Sequence, residues 1–254
     1  PRTHWHRQLH CYVTRLWWHC YALQVLENQP EMERQALVPD MEQLSRPMDM
    51  ARFDAWRLGR TGWPMVDACV EMLRETGWLN FRMRAMLVST AAYPLWLDWR
   101  PVGHWLARQF LDYEPGIHWS QLQMQSGTTG INIPRIYNPI KQAQDHDPNG
   151  VFVRRWLPAL RRVPDTWLLE PWKMPDSLQA QHNVYVGKDL SVPIVELETS
   201  TRVAKQKLYA LRAQDQVRAA KREIVQKHGS RKRLVTVKQK SVSRPASQQQ
   251  TLEF

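Results

Sequence analysis

Cysteine is scarce. Three residues in 254 (Cys11, Cys20 and Cys69) are too few and too scattered for a disulfide scaffold, which favours a reducing compartment and a cytoplasmic location. Strand signals are weak as well: only short runs such as Val184-Tyr185-Val186 qualify, which argues against a sheet-based fold. No long apolar run exists. The longest, Met86 to Leu97, contains Ser89, Thr90, Tyr93 and Pro94 and falls short of the roughly 20 residues of a membrane span. The opening PRTHWHRQLH has no apolar h-region and is not a signal peptide. It also begins without Met and already reads as helix interior, so the expectation is a fragment whose N-terminal part is absent.

Most of the chain also lacks excess charge. Residues 1–201 hold 21 basic and 21 acidic side chains, whereas residues 202–254 hold 14 basic and 3 acidic and account for all of the net +11. What is abundant is apolar surface, at 43% of residues and including 13 Trp, enough to bury a core in a chain of this length.

The apolar pattern is helical nearly throughout, and the expected fold class is all-α. Residues 5–27 place Trp5, Leu9, Val13, Leu16 and Trp17 on one stripe. Pro64 suits a first helical position, Met65, Ala68, Cys69, Met72 and Leu73 follow at helical spacing, and Gly77 suits a C-cap. A third helix is expected over 79–98, broken near Pro94, and a fourth over about 102–113. Asp147-Pro148-Asn149-Gly150 reads as a turn before another helix, and 163–198 as irregular. Thr199 or Ser200 is expected to cap a long helix running to about His228. The expected organisation is a helical domain over 1–175, an irregular segment plus the long helix over 176–229, and a disordered basic tail over 230–254. That tail, with the cluster Lys227, Arg231, Lys232 and Arg233 leading into it, can hold DNA phosphates without sequence preference or can simply be solvated.

Three local motifs fail on their chemistry. His6 and His10 share a helix face, but no third ligand has suitable spacing, so no metal site is expected. Asp145-x-Asp147-x-Asn149-Gly150 opens like a calcium loop, yet Trp156 stands where a bidentate Glu is required. Gly127-Thr128-Thr129-Gly130 lacks the Lys-Ser/Thr of a P-loop and follows no strand.

The informative segment is 57–164, with TGWPMVDA, TGWLNFRMR, LDWR and RIYNPIKQ…DPNGVFVRRWLPAL…VP in order. These motifs resemble the FAD-binding helical domain of the photolyase/cryptochrome family, and the likeness extends over about 200 of the 254 residues. The resemblance implies FAD as cofactor. It implies that Arg84 and Asp112 form an ion pair against the flavin ring, with Tyr113, Glu114 and His19 also on the cofactor side. Trp78 corresponds to an aromatic wall, and His118 to the position facing flavin N5. The family's N-terminal antenna domain is not present, nor is its Thr-Ser-x-Leu-Ser segment around the FAD diphosphate, and a polypeptide carrying them is an expected partner.

The departures from the family pattern bear on DNA repair. Arg15 stands where repair enzymes carry a lesion-binding Glu, and Trp18 matches one lesion-flanking Trp while Met124 replaces the other. Phe81 replaces an Asn that contacts flavin and lesion, beside Arg82. In the family's tryptophan electron-transfer chain Trp99 matches the middle member, but Leu122 and Arg46 occupy the outer positions, leaving Trp78, Trp96, Trp105 and Trp119 as alternatives. Two functions follow as expectations: blue-light-driven electron transfer from reduced flavin, with pyrimidine dimers in DNA as one acceptor, or a non-repairing signalling or DNA-binding protein. A truncated product inactive alone is the third.

Overall fold

The computed structural model describes residues 2–129 and 134–219. Ten α-helices are found among them: α1 Arg2–Asn28, α2 Met50–Arg57, α3 Pro64–Thr76, α4 Phe81–Ala92, α5 Trp99–Gln109, α6 Pro115–Ser126, α7 Pro139–His146, α8 Val151–Trp156, α9 Asp176–Gln181 and α10 Leu197–Arg212. The only β pairing among the described residues is an isolated bridge between Val186 and Leu190. Short 3-10 turns fill the Pro-rich stretches, Pro158–Arg162, Asp165–Trp167 and Pro171–Lys173 among them.

The helix boundaries follow from side chains that satisfy the first free N–H groups. Asn80 accepts from Met83 N at 3.0 Å to start α4, and Asp98 accepts from Arg100 N at 2.8 Å to start α5. Asn138 accepts from the N–H groups of Ile140 and Lys141 at the head of α7, where Pro139 supplies a pre-set φ. Asp147 does the same for α8, its two oxygens accepting from Phe152 and Val153. The calcium-like sequence is therefore a capped turn. Gly77 and Gly127, at φ 69° and 82°, end α3 and α6 in the left-handed conformation that glycine adopts without a Cβ clash.

α6 is the hub, packing on α1, α4 and α5. Beneath it the main core gathers Trp56, Trp63, Met86, Leu87, Trp99 and Trp119, all nearly inaccessible. Trp56 donates to the Leu87 carbonyl at 3.2 Å, so the indole is buried with its polar edge satisfied. A second cluster joins Val38, Met41 and Tyr93 to Ala204 and Leu208 of α10. Asp67 locks the corner before α3 by accepting from Thr61 N, Thr61 Oγ1 and Gly62 N at 2.6–3.0 Å. Burial still pushes its carboxyl up to about 6.

The α1 helix forms as expected with its stripe exposed, while the cap and the run of the C-terminal helix are corrected. The stripe on α1 does not face a core: Trp5 and Trp17 are 77% and 71% exposed, and Leu9, Val13 and Leu16 are exposed as well. Only the C-terminal part of α1 is packed, with Ala22 and Val25 buried and Gly116 of α6 against the Ala22 backbone. A periodic stripe marks a face, and here no described element lies opposite its first turns. The C-terminal helix is capped by Glu196, which accepts from Glu198 N and Thr199 N, and it stops at Arg212 before a turn at Ala213-Gln214. A helical run resumes at 215–219, while the end expected near His228 and the tail over 230–254 lie outside the described residues, as does Gly130. No described helix is long and apolar enough to cross a membrane.

Candidate functional site

A cavity of about 460 Å³ opens between α4 and α6 and is closed by residues 78–80 and 110–114. Its α6 wall is one helical face: Glu114, Ile117, His118, Gln121, Leu122 and Gln125 recur three and four apart. Phe81, Arg84, Ala85 and Val88 of α4 form the facing wall by the same spacing, and Leu106 and Phe110 come from the end of α5. The lining is mostly apolar with a few converging polar groups, the usual make-up of a site for a large organic ligand.

Arg84 carries the rim. Its guanidinium donates through Nη2 to both oxygens of Asp112 at 2.8 and 2.9 Å, and through Nε to the Leu79 carbonyl at 2.7 Å. The cation also lies 4.1 Å from the centre of the Phe110 ring. Four fixed contacts hold a positive charge at the edge of an apolar slot. Glu114 is engaged by the backbone: its two oxygens accept from Gly116 N and Ile117 N and cap α6. Tyr113 accepts from Trp119 Nε1 through its hydroxyl at 3.2 Å.

His118 is the most perturbed group of the lining. Burial, with Arg84 and His104 nearby, lowers its pKa to about 4 against the opposing pull of the Gly103 carbonyl. The ring is therefore neutral at pH 7. Its Nε2 stands 3.0 Å from the Gly103 oxygen, so that nitrogen carries the hydrogen and Nδ1 is left as an acceptor. Behind His118 the aromatic contacts continue inward: Trp119 meets it at 4.9 Å between ring centres, and Trp99 meets Trp119 at 6.2 Å.

The cavity brings together Trp78, Phe81, Arg84, Asp112, Tyr113, Glu114 and His118 from the residues singled out by sequence. Arg15, Trp18 and His19 lie instead on the exposed face of α1, Arg82 is exposed, and Met124 is half-buried outside the lining. Trp99 is buried behind the wall at 3% exposure, Leu122 lines the cavity, and Arg46 is buried away from it over Tyr93 and Trp96. Sequence reasoning missed Gln121, Gln125, Phe110 and Gly103. The glutamines were accessible in principle from their register with Glu114 and His118. His6 and His10 stay on exposed α1, and no three potential metal ligands converge among the described residues.

An apolar, cation-rimmed slot in a helical fold is the make-up of a binding domain for a large organic ligand. Residues 12–210 match the model of the FAD-binding domain of DNA photolyase, and the chain belongs to that family. It is 29% identical over 187 residues to a deoxyribodipyrimidine photo-lyase of Alkalihalophilus pseudofirmus, covering 73% of this chain and 39% of that protein. It is 32% identical over 212 residues to cryptochrome-2 of Arabidopsis thaliana, covering 81% of this chain and 34% of that one. Among solved structures it is similar to a class III photolyase of Agrobacterium tumefaciens, with a TM-score of 0.74 and 26% identity over 80% of this chain and 42% of the other. An archaeal photolyase of Sulfolobus tokodaii, solved with two FAD molecules, gives a TM-score of 0.69 at 26% identity over 78% of this chain and 44% of the other. The chain thus spans between about a third and two fifths of the length of these curated relatives. The domain is an FAD-binding one, and the apolar walls, the fixed cation at the rim and the buried amides of the lining fit a flavin.

Proposed function

We propose that this chain is the flavin-holding part of a blue-light-driven flavoprotein in which electrons pass between FAD and an acceptor, with pyrimidine dimers in DNA as the first candidate. The observation that carries the reading is the convergence, in one slot, of the Arg84–Asp112 pair with a neutral His118 and apolar walls. When bound, FAD supplies one-electron chemistry driven by light. Arg84, anchored by Asp112, Leu79 and Phe110, holds positive charge at the rim and favours negative charge on a ligand beside it. His118 adds no charge at neutral pH and offers Nδ1 as an acceptor. Leu106, Leu122 and Val88 exclude water from the slot, which strengthens each polar contact inside it. Trp119 and Trp99 offer an aromatic route from the wall into the core.

A non-repairing, signalling or DNA-binding reading stands beside it. Arg15 and Trp18 sit on the exposed α1 face, and Met124, outside the lining, is not aromatic, so one of the two lesion-flanking planes expected from the family is lacking. Two such planes would contribute about 1–3 kcal/mol per base. To test both, the chain is mixed with FAD, freed of unbound cofactor and examined for flavin absorption. Retained flavin supports the binding role, and a colourless protein refutes it for this chain. The bound flavin is then reduced with dithionite without oxygen, and blue light is applied with dimer-containing single-stranded DNA. Dimer reversal by the reduced flavin supports repair, whereas absence of reversal together with light-dependent bleaching of the oxidised flavin in the presence of an added thiol donor supports the second reading.

A further inference from the structure

α6 carries two buried glutamines, two residues apart, whose amides are in opposite situations. Gln123 is saturated: Oε1 accepts from Leu37 N at 2.8 Å and from Thr128 Oγ1 at 3.0 Å, and Nε2 donates to the carbonyls of Met32 and Gln35 at 2.6 and 2.8 Å. Gln125 is 1% exposed, and neither its oxygen nor its nitrogen has a hydrogen-bond partner. Gln121, one turn earlier on the same face, holds a second buried amide oxygen without a partner. Gln121 and Gln125 line the cavity and Gln123 does not. Two residues turn a helix by about 200°, so the same side-chain type is structural on one face and unengaged on the other.

Burying a polar group unpaired is costly, and native chains rarely do so without a reason. The lining beside them is mostly apolar, with Ala85, Val88, Leu106 and Leu122, and its polar side chains, His118 included, make no hydrogen bond to either amide. Arg84, Asp112 and Glu114 are already engaged with one another or with backbone. The amides are thus left without a partner on the cavity side of α6.

We propose that Gln125, with Gln121, forms an amide subsite for a planar heterocycle that presents a hydrogen-bond donor beside an acceptor. A carboxamide offers an acceptor oxygen and N–H donors in one plane, which matches such an edge. This rests on the reading of the cavity as the FAD site. FAD carries such an edge at two places, the pyrimidine ring of the flavin and the adenine.

The test uses the full chain, with Gln125→Leu as the variant and Gln123→Leu as the control. Thermal unfolding is measured without ligand, and equilibrium binding is measured for FAD, FMN and ADP. Gln125→Leu is expected to unfold at or above the wild-type temperature, because an unpaired amide gives way to an apolar group, and to bind FAD about tenfold more weakly. Gln123→Leu is expected to unfold well below wild type. Weaker FMN binding with ADP unchanged assigns the subsite to the flavin ring, and weaker ADP binding with FMN unchanged assigns it to adenine. If Gln125→Leu binds FAD as tightly as wild type, or unfolds as low as Gln123→Leu, the amides are structural and the proposal fails. If the wild-type chain itself binds none of the three, the FAD reading fails with it. Gln125→Met, which keeps side-chain length and removes both amide atoms, replaces the leucine variant if that one does not fold.

Discussion

Gly103 is the tightest joint behind the cavity, and replacing it tests how the wall is built. A Cβ added there would overlap Leu122 Cδ2 and come within 2.6 Å of Trp119 Cζ3. Both neighbours are 1% exposed, and Trp119 is boxed in by Trp99, His104 and His118. In an open helix Gly→Ala gains about 1 kcal/mol. Overpacking a filled core costs about 1–3 kcal/mol, with the upper end expected where a rigid indole must give way. The net loss for Gly103→Ala is then about 1–2 kcal/mol, or roughly 2–8 °C for a domain of this size. Leu122→Ala alone costs about 2–5 kcal/mol through the hole it leaves. In the double variant the new methyl enters that hole, so its cost falls below the sum of the two by at least about 1 kcal/mol. Urea unfolding followed by circular dichroism on the four proteins measures this coupling. Additivity to within about 0.5 kcal/mol would show that Gly103 and Leu122 do not share a contact and refute the packing described above. Because the Gly103 carbonyl also holds His118, Gly103→Ala is expected to weaken flavin retention as well.

Three further outcomes are expected. His118 has a folded pKa of about 4 against an ordinary 6.5, so the unfolded chain takes up the proton first and His118 costs the fold stability as pH falls from 6.5 to 4. Asp67, raised from 3.8 to about 6, has the opposite sign and adds stability as pH falls from 6 to 3.8. His118→Gln therefore gains about 3 kcal/mol on wild type between pH 6.5 and 4, read from urea midpoints, and parallel pH profiles would contradict it. Asp112→Asn leaves folding within about 1 kcal/mol, since the pair is half in solvent, yet weakens FAD binding severalfold by titration because Arg84 loses its anchor. Trp5→Ser and Trp17→Ser shift stability by less than about 0.5 kcal/mol in thermal melts, and a loss above about 2 kcal/mol would mean that the α1 stripe packs.

Where the sequence was a good guide, a local physical rule was strong. Pro64 and Gly77 bracket α3 because one pre-sets φ and the other takes φ 69° without strain, and both are legible without a structure. The break before Pro94 follows from the ring's clash with the preceding turn. Where the guide failed, the deciding term was a distant partner or its absence. The α1 stripe has the spacing of a core face, and spacing cannot say what lies opposite. Ser and Thr are the preferred N-caps, so Thr199 outranked Glu196 on propensity, yet the longer carboxylate reaches two N–H groups. The convergence of Arg84, Asp112 and His118 on one cavity was legible through family motifs that name them. Gln125 was overlooked, although its register with Glu114, His118 and Gln121 sets it on the cavity side of α6 and Gln123 on the other.

The same limit governs the electron route. Sequence placed Arg46 and Leu122 where the family keeps tryptophans, and left Trp96, Trp119 and others as substitutes. Trp96 lies 5.0 Å from the Arg46 guanidinium and 4.8 Å from the Lys207 ammonium. Arg46 is buried and donates to the Ser126 carbonyl, and among the described residues no carboxylate lies within salt-bridge distance of it. Two cations against one indole oppose the loss of an electron from it, and the opposition is strongest where water is excluded. Trp99 also carries a guanidinium, that of Arg100 at 4.7 Å, but Arg100 is neutralised by Asp98 and Glu42. The cation on Trp99 is thus paired directly with two carboxylates, whereas Arg46 on Trp96 feels the Asp98 carboxylate only from beyond salt-bridge distance. Should the proposed electron transfer run through this domain, Trp119 and Trp99, in ring contact behind the cavity wall, are the relay we propose in place of Trp96.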